Sequence, residues 1–242
     1  MVYIGPFDLE KKAGIVGVIL ENPLQASKKA AGIGAYILEI RLDLLGIKSQ
    51  EIARSLIQQI KSETGLPVII TNRSSLEGGK WEGREAERLE LLRSLLFLKD
   101  GPDAVDIELS AAKEERDKLI KEAKTHGKTV IVSFHDFLNT PPFQEMKATL
   151  EEAFRAGGDI AKLAVMPHSM RNVLDLLELT LEFREAGKPI CTISMGKLGK
   201  HTRVIAPFYG SVLTYASIEN TIPAAAGQIS IAEVKRIMEA LE

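Results

Sequence analysis

Short apolar runs with strand character recur eight times along the chain, alternating with segments of helical periodicity. The runs are Ile15–Leu20, Ala35–Asp43, Pro67–Thr71, Ala104–Glu108, Lys128–Phe134, Gly157–Pro167, Pro189–Ser194 and Ala206–Tyr215. Between them lie a helical stretch at Leu24–Gly32, the stripe Ile52, Leu56, Ile57, Ile60, and the stripe Leu89, Leu92, Leu95, Leu96. Helical patterns also cover Ala111–Lys124, Phe143–Ala156, the stripe Val173, Leu174, Leu177, Leu181, and Ile231–Leu241. Apolar residues spaced three and four apart lie on one face of a helix, whereas near-continuous apolar runs suit parallel strands covered on both faces. Eight β/α units in 242 residues predict an α/β chain folded as a single (β/α)8 TIM barrel over residues 1–242. The competing architecture, a doubly wound open sheet, ordinarily carries a Gly-rich phosphate turn after its first strand. Here Glu21-Asn22-Pro23 stands in that place.

The sixth run holds the most informative side chain. Gly157-Gly158-Asp159-Ile160-Ala161-Lys162-Leu163-Ala164-Val165-Met166-Pro167 is a buried strand with one lysine inside it. Lysine is seldom fully buried without a partner. Two readings follow: a salt-bridged lysine at a strand end, or a desolvated amine that acts as a nucleophile toward a carbonyl carbon.

Composition narrows the surroundings. Lys and Arg number 31 against 33 Asp and Glu, without a block of one sign, so no nucleic-acid or membrane-surface footprint is expected. The single Cys191 allows no internal disulfide, lies in an apolar run, and is assigned to core packing in a reducing compartment. No apolar run has the length of a membrane span, and Met1–Pro6 lacks the pattern of a signal peptide. A soluble, cytoplasmic-type protein acting on a small molecule is expected.

A (β/α)8 barrel places its chemistry at the C-terminal ends of the strands. The second run ends with Glu39 and Arg41 on one side, able to pair with each other or to hold a polar ligand. The third is followed by Arg73, Glu77, Gly78 and Gly79, a polar loop able to lie close over a ligand, with Trp81 packing it. The fourth ends in Asp106-Ile107-Glu108, and one of these acids could orient the lysine or a neighbouring histidine. The fifth ends in Ser133-Phe134-His135-Asp136-Phe137, where His135 is a natural general acid/base. His126 and His168 belong to surface or loop positions, and His201 lies close to a loop. Ser194-Met195-Gly196 closes the seventh run. Its following loop, ending in Thr202-Arg203, could bind a carboxylate or a phosphate. Ala224–Gln228 is a small-residue loop offering one amide side chain.

Taken together and in order, these pieces resemble type I 3-dehydroquinate dehydratase, the Schiff-base-forming family of the shikimate pathway. The resemblance rests on Glu39-Ile40-Arg41, Arg73 through Glu77-Gly78-Gly79, Asp106-Ile107-Glu108 and Ser133 through Phe137. It continues through Asp159–Lys162, Ser194-Met195-Gly196, Thr202-Arg203, Phe208-Tyr209-Gly210-Ser211 and Gly227-Gln228. It implies that Lys162 forms a Schiff base with the substrate ketone, that His135 is the general acid/base, and that Glu77 positions and tunes it. It further implies that Arg203 binds the substrate carboxylate, that Glu39, Arg41, Arg73 and Gln228 hold its hydroxyls, and that Met195 packs against its ring. No cofactor or metal is implied, because the iminium is the electron sink; a homodimer is. The chain departs from the family pattern at Ala224 and Ala226, where serine and proline are usual, and at Thr202, where serine is commoner. A class I Schiff-base aldolase and a non-catalytic ligand-binding barrel are the alternative readings.

Overall fold

Strand pairing in the computed structural model, which describes residues 1–218, 225 and 227–242, follows the order of the chain. A hairpin of β1 (Tyr3–Ile4) and β2 (Phe7–Asp8) comes first. Eight parallel strands follow: β3 (Gly14–Ile19), β4 (Ile37–Arg41), β5 (Val68–Thr71), β6 (Ala104–Glu108), β7 (Thr129–Asp136), β8 (Ile160–Val165), β9 (Ile190–Ser194) and β10 (Leu213–Ala216). Each strand pairs with its predecessor from β3 to β9, and β10 pairs with β3. The Ile190–Ser211 bridge and a hydrogen bond from Val212 N to Ile190 O (2.8 Å) join β9 to the entry of β10. The sheet is thus a (β/α)8 barrel. Helices α1 (Pro23–Gly32), α2 (Gln50–Thr64), α3 (Glu85–Leu96), α4 (Lys113–Thr125), α5 (Phe143–Arg155), α6 (Met170–Glu185), α7 (Gly196–Gly199), α8 (Thr202–Tyr209) and α9 (Ile231–Leu241) connect the strands and close the chain. Several start on serine caps: Ser49, Ser169 and Ser230 accept hydrogen bonds from backbone N–H groups in the first turns of α2, α6 and α9.

Strand alternation sorts the core into two shells. Ile15, Ile19, Leu38, Ile40, Val105 and Leu163 point outward to pack with the helices. Inward, the floor of the barrel is apolar: Ile37, Ile69, Ala104, Ile131, Ile160, Cys191 and Leu213 belong to one buried cluster. The next inward residue of several strands is polar, namely Glu39, Thr71, Asp106, Ser133 and Lys162, and all five are buried. A hydrophobic floor beneath a polar layer gives the barrel interior a direction, and the polar side is the C-terminal mouth.

Two features differ from expectation. The eighth strand starts at Leu213, and Ala206–Tyr209 ends helix α8. A short apolar run is ambiguous between strand and helix. Here Thr202, Arg203, Val204 and Ala206 form a buried helical face, so the stretch after Ser194 expected as a loop contains α7 and α8. The β1–β2 hairpin was not expected from the sequence at all. It plugs the N-terminal end of the barrel, where Ile4 and Leu9 join the inner cluster and Thr129 donates to Tyr3 O.

Candidate active site

The nine residues given catalytic or substrate-binding roles by the resemblance all line one cavity at the C-terminal mouth: Glu39, Arg41, Arg73, Glu77, His135, Lys162, Met195, Arg203 and Gln228. Val18, Ala164, Ile193 and Tyr215 supply apolar wall. Ala224 and Ala226 lie outside the described residues.

Lys162 is held by its strand register. Ser133 of β7 pairs with Lys162 of β8, so both side chains face inward. Its Nζ donates to Asp106 Oδ2 at 2.8 Å, and both side chains are buried. The amine therefore has a carboxylate partner, which joins the two readings left open by the sequence: it is ion-paired and it faces the cavity. Nζ also lies 3.9 Å from the centroid of the Tyr215 ring.

Asp106 is the hub. Its Oδ1 accepts from Arg73 Nη2 (2.7 Å) and from Ser133 Oγ (2.6 Å), and Arg73 Nη1 donates to Ser133 Oγ (2.7 Å). Burial works to raise the Asp106 pKa, but Arg73 and Lys162 outweigh it and hold the carboxyl well below the usual range. Glu108, the other acid of β6, orients neither lysine nor histidine. It pairs with Arg73 (3.1 Å) and Arg88 (2.8 Å) and accepts from Ser74 N (2.9 Å), tying the loop after β5 to the barrel.

That loop delivers Glu77. A 3-10 turn, Ser75–Glu77, starts on a Ser74 cap and ends at Gly78 in the left-handed region (φ 76°). Gly79 has no alternative: a Cβ there would lie 2.0 Å from Arg73 O. The Glu77 carboxylate accepts from His135 N (2.9 Å), lies 2.8 Å from His135 Nδ1, and accepts from Ser110 Oγ. Because Oε2 already accepts the backbone N–H, the Nδ1 contact assigns the ring proton to Nδ1 and the lone pair to Nε2. Burial, with Arg73 and Lys162 nearby, pushes His135 well below its usual pKa, so the imidazole is neutral at rest. Burial raises Glu77 to about 7 against the opposing pull of Ser110 and Arg73.

The remaining residues are placed as follows. Arg41 does not pair with Glu39; it donates to both oxygens of Asp43 (2.9 and 2.8 Å), while Glu39 accepts from Thr71 Oγ1 (2.7 Å). Arg203 sits on α8 and donates to Gly227 O and Tyr215 O, each at 3.1 Å. Among the described residues it has no carboxylate partner, and burial lowers its pKa to about 10. Thr202 donates to Gly199 O (2.8 Å) and accepts from Ser194 N (3.2 Å), bracing the turn that holds Arg203. Met195 is buried at the mouth. His126, His168 and His201 are exposed, away from the cavity. Cys191 lies in the floor, its thiol raised to about 11 by burial. Tyr215 and Ser110 join the site as contacts that no motif announced, and Ser133, from the motif around His135, joins it through Asp106.

A polar mouth of this kind over an apolar floor defines a (β/α)8-barrel enzyme. Comparison with known proteins narrows the class. The sequence model of type I 3-dehydroquinase matches residues 15–242, and the chain belongs to that family. The 3-dehydroquinate dehydratases of Methanosarcina acetivorans and Methanosarcina barkeri are 68% and 67% identical to it over 242 residues, covering 100% of each chain. Among solved structures, the 3-dehydroquinate dehydratase of Geobacillus kaustophilus is 31% identical, with a TM-score of 0.86 and coverage of 95% of this chain and 91% of that one. The type I enzyme of Clostridium difficile, solved with covalently modified comenic acid, is 28% identical with a TM-score of 0.88, covering 95% and 92%. No helix among the described residues is long and apolar enough to cross a membrane.

Proposed function

We propose that this chain dehydrates 3-dehydroquinate to 3-dehydroshikimate, the reaction for which its relatives are named, by a Schiff base on Lys162 with His135 as acid and base. The observation that carries the reading is the pairing of a buried lysine with a neutral, acid-held imidazole in one cavity.

The difficulty in the reaction is removing a proton from carbon beside a ketone. The Lys162 amine attacks the ketone carbon, and loss of water leaves a protonated imine whose positive charge acidifies the neighbouring C–H. His135 Nε2 takes that proton, and the electron pair moves into an enamine. The enamine then expels the β-hydroxyl, which takes the proton from His135 and departs as water. Hydrolysis of the conjugated iminium releases product and restores the amine. One imidazole thus works in both directions. Glu77 keeps its proton on Nδ1, and Asp106, fixed by Arg73 and Ser133, aims the lysine. The buried Arg203 guanidinium suits the substrate carboxylate, because an anion there compensates a charge held away from water. Glu39, Arg41, Arg73 and Gln228 would meet the substrate hydroxyls, with Met195 against the ring. In the shikimate pathway this is a cytoplasmic step, and the family resemblance supports a homodimer.

Turnover of 3-dehydroquinate, followed by the conjugated enone absorbance of the product, tests the reading. Enone should form with dehydroquinate, while aldol donors give no C–C cleavage. Aldol cleavage without enone formation would assign the barrel to the aldolases instead.

A further inference from the structure

We infer that the aromatic face of Tyr215 is a positioning element of the site, a cation platform that keeps the Lys162 nitrogen positively charged once it has become an imine. The inference rests on the Schiff-base reading above and deepens it.

Other lysine–aromatic approaches among the described residues are longer, from Lys12 to Tyr36 at 5.0 Å to Lys48 and Trp81 at 5.9 Å. Lys162 lies 3.9 Å from the Tyr215 centroid, with both residues buried. Removal from water is the condition under which a ring face attracts a cation most strongly. The geometry is imposed from two sides. Tyr215 pairs in register with Val16 on β10–β3, pointing its ring into the barrel, while Asp106 holds the same nitrogen from β6 at 2.8 Å. The phenol contributes no hydrogen bond here: among the described residues its hydroxyl has no partner. Burial and the nearby Glu39 and Asp106 carboxylates push its pKa well up, so the ring stays a neutral phenol.

The chemistry gives such a platform a purpose. An imine nitrogen is a far weaker base than the amine it came from, so the charge that acidifies the substrate is the one most readily lost. The groups facing that nitrogen are Asp106 from β6, His135 from β7, Cys191 from β9 and Tyr215 from β10, with Arg73 and Glu39 behind them. Asp106 and the Tyr215 ring favour the cation; the neutral imidazole and the protonated Cys191 thiol add no charge.

The test replaces Tyr215 with Phe and with phenylalanines bearing one, two and three ring fluorines, which weaken the negative ring face at nearly constant shape. Cyanoborohydride reduces the protonated imine, so the pH at which Lys162 adduct formation with saturating 3-dehydroquinate falls to half reports the imine proton. Tyr215→Phe should stay close to the unsubstituted protein. The fluorinated rings should move the midpoint downward in steps, by about one pH unit in all, or about 1.4 kcal/mol. A midpoint flat across the fluorinated series, with adduct still on Lys162, would reduce Tyr215 to packing. A large shift on Tyr215→Phe alone would transfer the effect to the hydroxyl and overturn the platform. Absence of any Lys162 adduct in the unsubstituted protein would instead remove the Schiff-base reading on which it stands.

Discussion

Three side chains carry the chemistry in the proposed reading, and each is defined by its neighbours more than by its type. Lys162 is an ordinary amine until β8 turns it inward against Asp106 and Tyr215. His135 is the one histidine of four that enters the cavity, and its surroundings keep it neutral. Glu77, raised to about 7 by burial, is the group in the site that titrates near working pH. Below that value it is protonated and holds the imidazole poorly; above it, its charge secures the Nδ1 proton. Accordingly, kcat/KM for the unsubstituted protein should fall as pH drops through about 7. Glu77→Gln should lower kcat/KM by roughly tenfold or more and erase that acid limb. An identical limb in the Gln variant would assign the titration to another group. The lysine and the histidine were legible because a charged residue in an apolar strand and a histidine at a strand end are both anomalies. Asp106 and Glu108 were both legible as acids able to orient the lysine or a histidine; that Asp106 is the one on Lys162, that Ser110 meets Glu77 and that the Tyr215 ring faces the amine depend on strand stagger across the barrel, which a linear pattern does not encode.

At the scale of elements, the loop after β5 is the least obvious part of the machinery. Its 3-10 turn carries Glu77 to His135, and Gly78 lets the outer edge of the Phe137 ring come close to the turn while that ring stacks 6.3 Å from His135. A Cβ at Gly78 would meet the Phe137 ring at 2.4 Å, in a backbone conformation that costs a non-glycine residue about 1–2 kcal/mol. Gly78→Ala should therefore displace Glu77 and lower kcat several-fold more than it raises KM. Unaltered kinetics would mean that the turn tolerates the shift without moving its carboxylate. The pair of glycines was visible in sequence as a loop able to lie close over a ligand; the contact with Phe137 was not. Element boundaries show the same division. Strand β7 runs on to Asp136, carrying His135 within the ladder, and the helix ending at Tyr209 occupies part of the run expected as the eighth strand. Apolar character alone does not distinguish a buried helical turn from a buried strand.

The whole molecule separates stability from chemistry along the barrel axis. The floor and its β1–β2 plug are apolar, whereas the mouth gathers ion pairs around one cavity. The plug was illegible because its strands are two residues each, too short for a periodic signal. Ile4 is fully buried beneath the barrel, so Ile4→Ala should cost about 2–5 kcal/mol and lower Tm by several degrees without altering KM. An unchanged Tm would show that the hairpin is dispensable to the core. The proposed Schiff base on Lys162 forms at the other end. Borohydride added during turnover of 3-dehydroquinate should inactivate the protein and leave one ligand mass on the peptide containing Lys162, with no adduct in Lys162→Ala. Full inactivation with that peptide unmodified, or the same adduct persisting in the Ala variant, would contradict it.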